Sequence, residues 1–363
     1  MRDRLELPRT RRTLTPRVAA LALALGAACG PAEGSDASAS AGSTSSTGST
    51  ATATSITGAT SITTATTATT TTTTDASGSE SEGSSGDVDK YDLGDDVPLP
   101  GCDSVDILFV IDNSASMGTY QAALADAFPG FVDAMFANLP KGVDLHVGVT
   151  TTDFFCSGCN CPDSTVGCQS GADLETIEMY YQKPTDGDDG VNGSQGRLFE
   201  HGGKVFFETN TDADPTPLKN WFTATAKAAG EDGCSFEMPV AAASYMAHPA
   251  NDATNGGFLR DEDSVLLIVL LTDEPDKSPE PLTAYRQFLL DAKAGCGGDE
   301  CILVAGLVPP CIVDINQKLW QFMTAFGEAP IYGDIKDTKK YSEVVGAALA
   351  STLQDTCDNI PQG

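Results

Sequence analysis

Basic residues are scarce in this chain: 21 Lys and Arg stand against 51 Asp and Glu, a formal net charge of −30. So acidic a surface repels phosphate backbones and anionic headgroups, which argues against nucleic acid as a partner and favours cations and basic groups. Histidine is nearly missing. The three in the sequence, His146, His201 and His248, lie in unrelated segments with no HExxH and no His pair. There is no nucleophile elbow and no Gly-rich phosphate loop either, so no motif supports enzymatic chemistry, and the chain is expected not to be an enzyme. No apolar run reaches the roughly 20 residues that a permanent membrane-spanning helix needs.

Large apolar side chains are also nearly missing from residues 30–88, which are almost wholly Ser, Thr, Ala and Gly and include TTATTATTTTTT. Such a segment cannot bury enough surface to offset its ordering entropy. It reads as a tether of about 40–45 Å root-mean-square span by coil scaling. Upstream, residues 1–28 carry six Arg, then the apolar run VAALALALGAA, then small residues. That is the layout of an export signal. Arg11-Arg12 faintly resembles a twin-arginine signal. With the signal removed (six Arg, Asp3 and Glu6, a net of +4) the charge falls from −30 to −34.

Cys29 closes that segment in LGAACG. The stretch resembles the lipobox of bacterial lipoproteins, with Gly26 where Leu is usual. The resemblance implies lipidation of Cys29 and a membrane anchor of about 0.8 kcal/mol per buried methylene. The expected organisation is an export signal at 1–28, a lipidated cysteine and tether at 29–101, and one folded domain at 102–363. The expected location is the bacterial cell envelope or surface, or the exterior if Cys29 is not lipidated.

Ten further cysteines make an even number in an exported chain, where disulfides are the default. Cys296 and Cys301 are close enough for a local loop. Cys156, Cys159, Cys161 and Cys168 fall in FFCSGCNCPDSTVGC, within a loop-rich insertion near 154–195. They read as a disulfide knuckle, with zinc as the alternative.

From residue 102 apolar strands alternate with amphipathic segments. Strands are expected at VDILFVID, VDLHVGVTTTD, KVFFET, SVLLIVLLTDE, CILVAGLV and PIYGDI. Helices are expected at 118–138, 216–229, 237–247, 279–294, 314–327 and 338–356, with Pro129-Gly130 kinking or breaking the first. This alternation predicts an α/β fold, a mostly parallel sheet covered on both faces. Ligands in such sheets bind beyond the carboxyl ends of the strands, where the strand order reverses. Two of these strands end in acids, Asp112 and Asp273.

The stretch DNSASM after the first strand matches the D-x-S-x-S motif of von Willebrand factor type A domains, and LLTDE matches their second acidic loop. The resemblance covers about 102–357 and implies a Rossmann-like fold with a metal-ion-dependent adhesion site. It implies that Ser114 and Ser116 bind Mg2+ (or Mn2+ or Ca2+) through their hydroxyls. Asp112 and Asp273 would act largely through water, leaving a coordination position for an acidic group of a protein or glycan ligand. Hard divalent cations favour such oxygen sites. The family's third loop usually supplies a threonine. The corresponding GEDGCSFEMP, 230–239, has none, so Ser235 is the expected substitute, with Glu237 as the alternative. A Cys102–Cys357 bond would tie the two ends of the domain, as in some members, and a Cys234–Cys311 bond would stiffen the rim of the site. The acidic turns PTDGDDG, 184–190, and NTDAD, 210–214, read as solvated turns or weak Ca2+ sites. The alternative reading of the whole chain is a structural or assembly component of the cell envelope in which metal does not govern binding.

Overall fold

The computed structural model describes residues 103–347, apart from 156–164, 167–168, 171, 186–189 and 327–329. Cys29, Cys102, Cys156, Cys159, Cys161, Cys168 and Cys357 lie outside the described residues, as do the segments expected to form a signal and a tether.

Six strands form one sheet: β1 (Ser104–Ile111), β2 (Asp144–Thr151), β3 (Phe206–Asn210), β4 (Ser264–Leu271), β5 (Ile302–Val308) and β6 (Ile331–Asp334). Their spatial order is β3-β2-β1-β4-β5-β6. All neighbours run parallel except β2 and β3. Seven helices are named here: α1 (Gly118–Asn138), α2 (Leu174–Tyr180), α3 (Thr216–Ala228), α4 (Pro239–Tyr245), α5 (Leu282–Ala292), α6 (Lys318–Met323) and α7 (Tyr341–Ala347). The fold is α/β, as the alternation of strands and helices predicts, and Rossmann-like, as the resemblance implies. Among the described residues no helix is long and apolar enough to cross a membrane.

Burial on both faces explains the unbroken apolar strands. In β1, Val105, Ile107, Phe109 and Ile111 pack beneath α1 and α3, while Leu108 and Val110 face the opposite core with α4, α5 and α6. β4 divides the same way, with Val265, Leu267, Val269 and Leu271 on one side and Leu266, Ile268 and Leu270 on the other. Every residue of both strands is buried. A strand buried on both faces reads as a continuous hydrophobic run, not an alternating one.

Of the kink or break expected at Pro129-Gly130, the break does not occur: α1 runs unbroken for 21 residues. Proline removes the amide that would bond the carbonyl four residues earlier. Here the Thr223 hydroxyl of α3 donates to that carbonyl, Ala125 O, at 3.4 Å. Phe128 stacks on Phe222 alongside, ring centroids 3.5 Å apart, and holds the helix in place. Thr223→Val is expected to cost about 1 kcal/mol by stranding the carbonyl. That cost should vanish in a Pro129→Ala background, as paired urea melts would show.

Charge is buried at the amino-terminal end of the strands. Asp106 of β1 is fully buried and accepts from the Arg260 amide and Nε, both at 2.8 Å, and from Ser264 Oγ at 3.1 Å. Lys293, also fully buried, donates to Arg260 O, and burial lowers its ammonium to about 8 despite nearby Asp106 and Asp261. A lowered lysine pKa means that the native state releases its proton before the unfolded chain does. Between about pH 8 and 10.5 the unfolded state therefore binds more protons, and stability rises with pH. The full penalty, on the order of 3 kcal/mol, applies below pH 8. Lys293→Met should remove this rise, so the wild-type-minus-variant difference in urea stability should change between pH 7 and 10.

Candidate metal centre

The strand order places the reversal point between β1 and β4, where the chain turns from one half of the sheet to the other. Both motif loops leave the carboxyl ends of these two strands. Register brings them side by side: Ile111 pairs with Leu271, so Asp112 and Thr272 emerge as neighbours. The Thr272 hydroxyl donates to Asp112 Oδ2 at 2.7 Å, and the Ser114 amide donates to Oδ1 at 2.9 Å. Both carboxylate oxygens of Asp112 are thus held by the protein. Burial is the main reason its carboxyl is pushed up to about 6, against the lowering effect of these bonds.

The remaining oxygens form a chain. Ser114 Oγ lies 3.2 Å from Ser116 Oγ, and Ser116 Oγ donates to Asp273 Oδ1 at 3.1 Å. Ser114 is buried, Ser116 exposed and Asp273 half-buried, so the row runs from the interior to the surface. Burial also raises the Asp273 carboxyl, partly offset by the Ser116 bond. Mg2+ at about 2.1 Å from each of two adjacent ligands sets them about 3 Å apart. The oxygen spacings fit that edge. Asp112, Ser114, Ser116 and Asp273 are therefore brought together in a set suited to a hard divalent ion.

The third loop, residues 230–238, closes over the same end. Gln121 Nε2 of α1 donates to Asp112 O and to Gly230 O, both at 2.8 Å. The Gly233 amide donates to Asn113 O at 2.8 Å, and the Asn113 side chain occupies the space that a β-carbon on Gly233 would need. A β-carbon there would displace the Asn113 carboxamide. Glu231 reaches back so that its carboxylate rests against Gly118, at the first turn of α1, where a negative charge suits the helix dipole.

Ser235 is half-buried, and its carbonyl accepts from Lys277 Nζ. Glu237, the alternative, precedes α4 and is fully buried. One carboxylate oxygen takes the Lys277 ammonium, while the other, Oε1, is buried with no hydrogen-bond partner. Burial drives the Glu237 carboxyl far up, and the Asp112 charge adds to that rise.

Sequence reasoning missed Thr272, Gln121 and Lys277. Thr272 lies inside LLTDE and could have been found by registering the two strand ends. The other two lack any local signal.

Cys296 and Cys301 are joined by a disulfide, and Cys234 and Cys311 are each disulfide-bonded. In NTDAD, Asp214 accepts from the Thr216 amide at the start of α3, at 2.9 Å, and Asn210 accepts from the Asp212 amide. These side chains hold the turn. The core of PTDGDDG, 186–189, lies outside the described residues.

No protein-family model matches the chain, and no curated protein does. Among solved structures, a von Willebrand factor type A protein from Catenulispora acidiphila is 13% identical, with a TM-score of 0.35. Proximal thread matrix protein 1 from the mussel byssus is 12% identical, with a TM-score of 0.36. A form of the mussel protein with a zinc-occupied MIDAS motif is 12% identical, with a TM-score of 0.34. Each match covers 69% of this chain but only 42% to 48% of the other, so the chain spans under half the length of these structures.

Proposed function

We propose that the chain is a binding module, not an enzyme, that captures an acidic group of a protein or glycan through a divalent cation, Mg2+ or alternatively Mn2+ or Ca2+. The observation that carries this reading is the row of Ser114, Ser116 and Asp273 oxygens spaced 3.1–3.2 Å apart at the β1/β4 reversal point. The D-x-S-x-S resemblance supports it.

Ser114, Ser116 and Asp273 would hold the ion, with Asp112 orienting the first loop beneath them. A bound divalent cation supplies a Lewis-acid position that a carboxylate oxygen can fill. The protein's own part is positional. Thr272 and the Ser114 amide fix Asp112, and Gln121 ties the end of β1 to the third loop. The exposed Ser116 marks the side on which a ligand approaches. Lipidation of Cys29 and the tether at 30–88 would present this face away from a membrane at the cell envelope.

The test is capture of a carboxylate-bearing ligand in Mg2+ and in excess chelator. Chelator should release the ligand, and Ser114→Ala/Ser116→Ala should match the chelated protein. A second reading, an envelope component that associates without metal, is favoured by the buried Lys277 ammonium, which already neutralises part of this acidic end. Association unchanged by chelator would support it.

A further inference from the structure

The loop after β4 carries a lysine that no motif assigns. Lys277 is buried, its side chain fully so, and its ammonium has three acceptors: Ser235 O, Glu237 Oε2 and, at 2.6 Å, Glu274 Oε2. Three donors meet three acceptors, so the ammonium is fully coordinated. Glu274 is the neighbour of Asp273, and Ser235 and Glu237 belong to the third loop. The ammonium therefore occupies the acidic end of the sheet that a divalent ion would share.

We propose that Lys277 is a resident cation that sets the affinity of this site for divalent metal, its positive charge beside Asp273 opposing that of the ion. The inference rests on the metal-site reading above. Without the ammonium, a positive charge bonded to Glu274, the neighbour of Asp273, would no longer repel an arriving divalent ion. A divalent ion would then be drawn more strongly. Two of the three acceptor oxygens around the ammonium belong to acidic side chains, Glu237 and Glu274.

Charge and loop geometry can be separated here, because the two loops have other ties. The Lys277 amide donates to Glu237 O at 2.9 Å. Asp276 Oδ1 accepts from the Val240 amide at 3.0 Å, and Ser278 Oγ from the Ala241 amide at 2.9 Å. These hold α4 against the loop with no help from the ammonium.

Calorimetric titration of the full chain with Mn2+ tests the proposal. Lys277→Met should bind about tenfold more tightly or better, since a unit charge inside a low-dielectric site is weakly screened. Lys183→Met, which removes an exposed lysine paired with Glu280, should not show that gain. In chelator, Lys277→Met should melt below wild type, and saturating Mn2+ should close the gap. If Lys277→Met fails to fold, Glu237→Gln and Glu237→Gln/Lys277→Met replace it, and the double variant should again bind about tenfold tighter than the single. Equal or weaker binding on loss of the lysine, in a wild type whose binding Ser114→Ala/Ser116→Ala abolishes, overturns the proposal alone. Wild-type binding unaffected by the serine substitutions overturns the site reading and the proposal with it.

Discussion

Ser114→Ala/Ser116→Ala should weaken Mg2+ and Mn2+ binding by at least about 100-fold while leaving the fold intact. Loss of outer-shell partners alone costs 10–100-fold in metal sites, and these hydroxyls are the nearest candidates for direct ligands. The fold should survive because neither hydroxyl supports the core. Ser114 holds Asp112 through its backbone amide, which alanine keeps, and Ser116 is exposed. Removing both also breaks the Ser116 bond to Asp273, which leaves that acid with one fewer donor. Calorimetry with each ion, beside thermal melts in chelator, reads both parts. Retained affinity in a folded double variant would mean that the ion, if bound, sits elsewhere.

The second large effect is on stability. Arg260→Ala is expected to cost about 3 kcal/mol or more, because it leaves Asp106 as a buried carboxylate stripped of its guanidinium. Beyond its bonds to Asp106, Arg260 also donates through Nη2 to Val105 O at 2.9 Å, so strand β1 loses a backbone tie as well. His146 Nδ1 stands 3.6 Å from Asp106 but donates to Phe258 O, at 2.8 Å, and is a poor substitute. Asp106→Asn/Arg260→Met removes both charges. It should cost much less than Arg260→Ala, since a neutral pair of similar volume avoids the desolvation penalty. Urea unfolding at pH 7 gives both values, and a cost under about 1 kcal/mol for the single variant would show that Asp106 finds another partner.

Much of this was readable in the sequence where the signal was local. β4 declares itself as a near-continuous apolar run, and β1 does so but for Asp106, because both faces of each strand are covered. Asp112, Ser114, Ser116 and Asp273 sit within a few residues of those runs, so strand ends and motif coincide. What escaped depends on contacts distant in sequence. The Thr223 hydroxyl that satisfies Ala125 O lies 98 residues away, so proline propensity pointed to a break that packing cancels. Lys277 meets Glu237 across 40 residues, and no periodicity in either loop announces the pair. Asp106 reads as a blemish in a hydrophobic strand until Arg260 arrives from 154 residues on. The third loop shows the same limit. The resemblance implies Ser235 in place of the usual threonine, and its backbone carbonyl meets a lysine 42 residues on, beside a buried Glu237.

The most direct measurement is the anomalous diffraction of crystals soaked in Mn2+. The account predicts one strong peak within bonding distance of Ser114 Oγ and Ser116 Oγ, beside Asp273, at the carboxyl end of β1 and β4. A map with no peak there at saturating Mn2+, or with its only peak at another acidic turn, would contradict it.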